Sequence, residues 1–338
     1  MKRFCAITLS VILFTVGLTS CFSNKGITNP TVSDTPSPTP ANQQSTTINI
    51  GDYLQMGRYY DEAILWRCVD IDENGPLMLS DKILTIKPFD AKGMHKYMDG
   101  TAAADISDYR TSYGSNLWET SNIRSWLNST ATAGNVTWLD GCPPAKDKLK
   151  YNAYADEKGF LADGNFTLNE QNIIKSVTQK SLLNSVDVGK LSVGGTAIHK
   201  YDDSAITTVV QNFDISYYQN VVDKIFLLDV KQILRDHQNR AALGMDYYIG
   251  KLTQKSVDNS ENKNGGLSAN SYWHSLLRTP FTDSNDPIGI RGVHFNGTVI
   301  SYSASNDYIG VRPAFYIDLS SLNFKAGNGT VGTPYVVD

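Results

Sequence analysis

The stretch Tyr272-Trp273-His274-Ser275-Leu276-Leu277-Arg278-Thr279-Pro280, with the residues that run on from it to Asp318, sets the architecture. A polar loop leads to Gly289-Ile290-Arg291-Gly292-Val293-His294-Phe295, then Asn296-Gly297, then Thr298-Val299-Ile300-Ser301-Tyr302-Ser303. The stretch closes with Gly310-Val311-Arg312-Pro313-Ala314-Phe315-Tyr316-Ile317-Asp318. Apolar residues alternate on both sides of Asn296-Gly297. Asn-Gly in that setting is the strongest short hairpin signal, because a type I′ turn needs positive φ at both central residues. The region therefore reads as several strands with a long loop between them.

Upstream, residues 64–71 alternate as a strand, Asp72-Glu73-Asn74-Gly75 is a turn, and residues 76–80 are the return strand. Asp70-x-Asp72-x-Asn74-Gly75 also matches the opening of an EF-hand loop. Its twelfth position is Asp81 rather than Glu, and Leu77-Met78-Leu79 stands where a helix should follow, so a hairpin is expected. Residues 48–55 are expected to open the domain as an edge strand. Ser121 or Thr120 is a good N-cap, and Ile123, Trp126 and Leu127 share one face of a short helix that sends Trp126 to the core. Thr167-Leu168-Asn169-Glu170 is a capping box that opens a second helix through Val177. Lys224-Ile225-Phe226-Leu227-Leu228 reads as a buried strand, and Asp229 with Gln232 caps a third helix ending near His237. Residues 131–164, 182–214 and 255–269 read as loops, and the tail as a turn followed by an edge strand. The sum is an α+β domain over residues 48–338, without βαβ alternation and with no long helix of the solute-binding kind.

Lys2 and Arg3 precede an apolar run from Ala6 to Leu18, then Leu18-Thr19-Ser20-Cys21. The run is short for a membrane span, which needs about 20 residues. Residues 1–21 are expected to be a signal peptide whose end resembles the bacterial lipobox, with Cys21 taking a lipid and anchoring the chain to the membrane. Residues 22–47, with Pro36, Pro38 and Pro40 among Ser, Thr and Asn, cannot bury a core and read as a tether. Thirty Lys and Arg stand against 34 Asp and Glu, with no basic run, which argues against nucleic acid as a partner. Charged residues make up 19%, below the roughly 25% of average domains, as suits an exported β-rich protein. Cys68 and Cys142 either pair or, for Cys68, serve as a buried apolar group.

Trp66-Arg67, Trp118-x-x-Ser121-x-Ile123-Arg124-x-Trp126-Leu127-Asn128, Leu277-Arg278-Thr279-Pro280 and Gly310-Val311-Arg312-Pro313-Ala314, in this order, resemble an uncharacterised family of bacterial cell-surface domains often carried on lipoproteins. The Phe166-Thr167-x-x-Glu170 helix and Phe226-Leu227-Leu228 fit the same pattern. That family in turn is similar to the C-type lectin-like and sulfatase-modifying-factor fold. The resemblance implies a twisted, mostly antiparallel sheet with short flanking helices and long loops. It transfers little chemistry. The sulfatase-modifying enzymes use paired cysteines in their C-terminal half, which this chain lacks.

The five histidines, at 95, 199, 237, 274 and 294, show no metal spacing, and no nucleophile elbow or P-loop is present. The oxygen-rich loop Thr282-Asp283-Ser284-Asn285-Asp286-Pro287 is either a turn or a calcium and sugar site built on Asp283, Asn285 and Asp286. Trp273, His274 and Tyr308 could supply a stacking surface beside it, or Trp273 could be core. Arg278, Arg291 and Arg312 need carboxylates or carbonyls, with Asp70 and Asp318 as examples, or else recognise an anion. The expected function is a surface lipoprotein with a non-enzymatic domain that binds an extracellular glycan or protein. An exported enzyme acting on cell-wall material and a structural envelope protein are the alternatives.

Overall fold

The computed structural model describes residues 47–91, 106–139, 152–188, 204–209, 213–262, 265–283 and 285–337. The expected signal peptide with Cys21, the expected tether up to residue 46, His95, Cys142, His199 and Ser284 lie outside the described residues. Within the unit Gln44–Asp338 the fold is mixed α+β, mostly sheet with a few short helices.

The strands are β1 (Tyr53–Tyr59), β2 (Glu62–Asp72), β3 (Gly75–Ser80), β4 (Thr85–Ile86), β5 (Ile174–Lys175), β6 (Val177–Leu182), β7 (Ser204–Ala205), β8 (Tyr218–Asp223), β9 (Ser275–Pro280), β10 (Gly289–Val293), β11 (Thr298–Ser303), β12 (Gly310–Val311), β13 (Ala314–Ile317), β14 (Phe324–Ala326) and β15 (Tyr335–Val337). The helices are α1 (Ile106–Tyr113), α2 (Asn122–Leu127), α3 (Leu168–Ile173), α4 (Val230–Gln238), α5 (Arg240–Leu243) and α6 (Gln254–Asp258). One sheet runs β14-β15-β1-β2-β3-β13-β5, a second β4-β12-β9-β10-β11-β7, and β6 pairs with β8. The pairings are antiparallel except β1 with β15 and β12 with β9. Only Arg312 and Pro313 separate β12 from β13, so the chain steps from one sheet to the other there.

The sequence pattern explains the centre of the larger sheet. Alternation in β2 buries Trp66 and Cys68, and the return strand β3 is buried from Pro76 to Ser80. Asp72 faces Gly75 across the turn, and Asn74 N–H donates to Asp72 Oδ1, so the calcium-loop match is a hairpin. Trp66 is wholly buried, donates its indole N–H to Met56 O (2.8 Å) and sets its ring edge-on to Phe315. Ser121 caps α2, whose Ile123, Trp126 and Leu127 are buried. Trp118 is buried too and donates to Asp223 Oδ2, so both tryptophans are core rather than a stacking platform. The Thr167–Glu170 and Asp229–Gln232 capping boxes both form.

Several expectations are corrected. The first strand begins at Tyr53 and lies inside the sheet between β15 and β2, and the C-terminal β15 lies between β14 and β1. Neither is an edge, because the domain's first and last strands pair with each other in parallel. Helix α3 stops at Ile173, where Ile174 turns extended to pair with Ile317 of β13. A β-branched pair there satisfies a sheet better than a helix. Residues 224–228 are not a ladder strand; Phe226 makes one isolated bridge to Ala314, and the strand before it, β8, pairs with β6 instead. Residues 255–269 include most of α6, which Thr253 caps. At Asn296-Gly297 only Gly297 has positive φ (86°), and Gly297 N–H donates to His294 O. The hairpin is therefore a type I turn with glycine at the left-handed position rather than type I′. Cys68 is a free, buried thiol, and burial pushes its pKa to about 12.

Candidate functional site

The arginines of β9, β10 and the β12–β13 junction are structural ties. Arg278 on β9 is buried and clamps the start of α4, donating to Leu227 O, Gln232 Oε1 and Asp229 Oδ2 at 2.6, 2.6 and 2.8 Å. Arg291 on β10 is wholly buried with its guanidinium 4.4 Å above the Phe281 ring. Arg312 donates to Ser80 O (2.9 Å), Tyr247 O (3.0 Å) and Asp81 O (3.2 Å). The partners differ from those expected: Asp70 pairs with Arg235, and Asp318 caps the 3-10 turn at Leu319–Ser321.

Arg312 leads to an open concavity. A cleft of about 540 Å³ is lined by residues that include Asp81, Lys82, Asp246, Tyr247, Lys251, Asn270 and Tyr272. Its walls come from the end of β3, the segment after α5 and the approach to β9. Arg67 and Arg312 hold it from behind. Arg67 donates to Leu243 O and Ala242 O (both 2.9 Å), and both guanidiniums lie over the Tyr247 ring, at 4.6 and 4.5 Å. On the solvent side Lys251 Nζ sits 4.6 Å from the Tyr272 ring centre, and Lys82 Nζ donates to Asn270 Oδ1 (2.7 Å). Two tyrosine rings thus stand among carboxylates, ammonium groups and an amide.

Tyr272 is followed directly by Trp273 and His274, which join a second set of rings. His274 lies 4.7 Å from His294, 5.3 Å from Phe295, 5.1 Å from Trp273 and 6.3 Å from Tyr308 between ring centres. The pairing of Ser275 with Val293 explains this, since it sets residue 274 opposite residue 294 at the same end of the sheet. Trp273 is half-buried against Ile83, Ile86 and Leu252 and donates to Tyr308 O. Phe295 is 48% exposed, Tyr272 37% and Tyr308 36%, so this end carries solvent-facing aromatic surface.

The expected site residues therefore divide. Trp273, His274 and Tyr308 come together. Asp283, Asn285 and Asp286 sit at the other end of β9 and β10, six residues of strand away. There Asp283 Oδ1 accepts from Asn285 N–H, and burial raises the Asp286 carboxyl although Gly289 and Ile288 N–H groups bond it. Those oxygens brace the loop, as Asn116 and Asn184 also do through Asp286 O. Among the described residues no three His, Cys, Asp or Glu side chains gather so as to hold a metal ion. The cleft residues other than Tyr272 escaped sequence reading because they are spread from Asp81 to Asn270 with no local motif.

His274 carries a testable pH signature. Burial lowers its pKa from 6.5 to about 4, with His294 adding to the effect, and Tyr302 OH lies 2.6 Å from its Nδ1. The unfolded chain takes up a proton that the folded ring refuses. The stability this neutral ring contributes is present above pH 6.5 and is lost as pH falls through about 4. Thermal melts should therefore show His274→Gln losing less stability than wild type across that window. Parallel curves would show that the ring is not held neutral.

The structure defines a sheet-rich α+β domain with a cleft, bearing two tyrosine rings, between the end of β3, the segment after α5 and the approach to β9. A family model for a domain of unknown function, DUF6273, matches residues 74–319, and the chain belongs to that family. No curated protein and no solved structure matches the chain.

Proposed function

We propose that the protein binds an extracellular glycan in the Tyr247–Tyr272 cleft without transforming it. The observation that carries this reading is the grouping of tyrosine rings with Asp81, Asp246, Lys82, Lys251 and Asn270 around one open cleft. Sugar rings present C–H faces that stack on an exposed ring such as Tyr272 and hydroxyls that exchange hydrogen bonds with such polar groups, while Tyr247, covered by Arg67 and Arg312, shapes the wall. The adjoining rings of Trp273, His274, Phe295 and Tyr308 extend the surface. The C-type lectin-like fold, export with a lipid on Cys21, and attachment by the tether of residues 22–47 belong to the same proposal. They accord with Lys2 and Arg3 before the apolar run that ends at Cys21, the acidic charge and a sheet-rich domain. Among the described residues no helix is long and apolar enough to cross a membrane.

A glycan array, probed with the purified chain with and without calcium, tests the reading. Binding that persists without calcium and is weakened in Tyr272→Ala is expected. Calcium-dependent binding lost on alanine substitution of Asp283, Asn285 and Asp286 would move the site to that loop. The exported-enzyme reading leans on Asp81 and Asp246 lining the same cleft. Release of reducing ends from cell-wall glycan, abolished by Asp81→Asn or Asp246→Asn, would replace binding with hydrolysis.

A further inference from the structure

Behind the cleft lies a group that neither the fold nor the binding reading uses. Asp236, on α4, is 1% exposed, and neither of its carboxyl oxygens has a hydrogen-bond partner among the described residues. The buried hydroxyl of Tyr247 is likewise unpartnered there. A buried acid and a buried phenol left without partners near each other are costly and call for an explanation. Arg67 from β2 and Arg312 from the β12–β13 junction act electrostatically on Asp236, which acts in turn on Tyr247 from the segment after α5, whose ring lies against both guanidiniums. Tyr248 follows in the same segment, with the His237 ring edge-on to it, and Asp81 acts on Tyr247 from the end of β3.

Arg67 and Arg312 bond backbone carbonyls rather than Asp236. They hold the carbonyls of Leu243, Tyr247 and Asp81, each a residue of the cleft wall. This arrangement suits a protonated Asp236. Once ionised, the carboxylate needs donors, and those within its surroundings are the Tyr247 hydroxyl and the two guanidiniums. We propose that Asp236 is a proton-operated latch on the cleft wall: on losing its proton it draws on Tyr247, Arg67 and Arg312 and reshapes the cleft, so that binding there depends on pH. Burial raises the Asp236 carboxyl to about 7, with Arg312 and Arg67 opposing, so the latch works near neutrality. Burial lowers His237 from 6.5, which places its own titration below that point. This regulation rests on the cleft being the binding site, but the latch is tested without any ligand.

The test is tyrosine ring carbon-13 NMR on the full chain from about pH 5 to 9, a range that brackets a neutral titration. The Tyr247 signal is identified by its loss in Tyr247→Phe. In wild type it should move in one step with a midpoint near 7. It should stay fixed in Asp236→Asn and keep the wild-type step in His237→Gln. A wild-type Tyr247 signal that does not move, or a step abolished by His237→Gln, overturns the proposal. The wild-type and His237→Gln titrations decide the matter if Asp236→Asn does not fold. A failed glycan array with a moving Tyr247 signal would overturn the binding reading alone.

Discussion

Trp66→Ala should destabilise the domain by about 3–5 kcal/mol, the range for removing a large buried aromatic. Trp66 is at zero exposure in the central strand β2, with Phe315 of β13 against its ring. Its indole N–H holds Met56 O across from β1. Alanine therefore leaves a cavity in the middle of the larger sheet and an unpaired buried carbonyl. A loss of this size lowers the melting temperature by on the order of 10 °C in a domain this large. Scanning calorimetry checks it. A drop of only a degree or two would mean that Trp66 does not sit at the centre of the core. Trp66 lies outside the family match, which begins at residue 74, in the turn between β2 and β3. The sheet nevertheless needs β1 and β2 between β15 and β3. Residues 74–319 expressed alone would leave one edge of β3 without its partner.

Arg312→Ala should act on both stability and binding. Arg312 is 4% exposed, and its guanidinium bonds the carbonyls of Ser80, Asp81 and Tyr247 while lying over the Tyr247 ring. Removing it leaves several carbonyls short of donors, at about 1–3 kcal/mol for each that water cannot reach. Part of this is recovered at the open cleft, so the net loss is expected at about 2–4 kcal/mol. Glycan affinity should fall by more than about tenfold even where the fold persists, because Asp81 and Tyr247 lose their common tie. Lysine should not restore it, since an ammonium cannot serve this spread of acceptors or stack as a planar guanidinium does. Chemical denaturation and calorimetric titration read the two effects separately. Full affinity in a folded Arg312→Ala would detach the cleft from the Gly-Val-Arg-Pro-Ala segment.

The chain shows why some of this was legible beforehand and some was not. Capping boxes and alternating hairpins are local, so the starts of α2, α3 and α4 and the β2–β3 hairpin could be read from adjacent residues. The β6–β8 pair was missed because Thr178, Gln179, Lys180 and Gln219 are polar and give little apolar alternation. Parallel pairing of β1 with β15 joins residues at opposite ends of the domain, which no short pattern can announce. The cleft has the same character. Asp81, Tyr247 and Tyr272 line one cleft, where Arg312 ties the first two, whereas Trp273 and His274 are adjacent rings, and Tyr308 belongs to the same stretch that could be read as a stacking surface. The loop at Asp283 looked like a site because its residue types suit calcium, yet the same oxygens also suit the turn they brace.

The central claim is that the Tyr247–Tyr272 cleft is a glycan-binding surface. Isothermal titration of the strongest array ligand into wild type and Tyr272→Ala tests it most directly. One aromatic face is worth about 0.5–1.5 kcal/mol, so Kd should rise roughly threefold to tenfold with the melting temperature unchanged. An unchanged Kd in a folded Tyr272→Ala would contradict the assignment of the cleft.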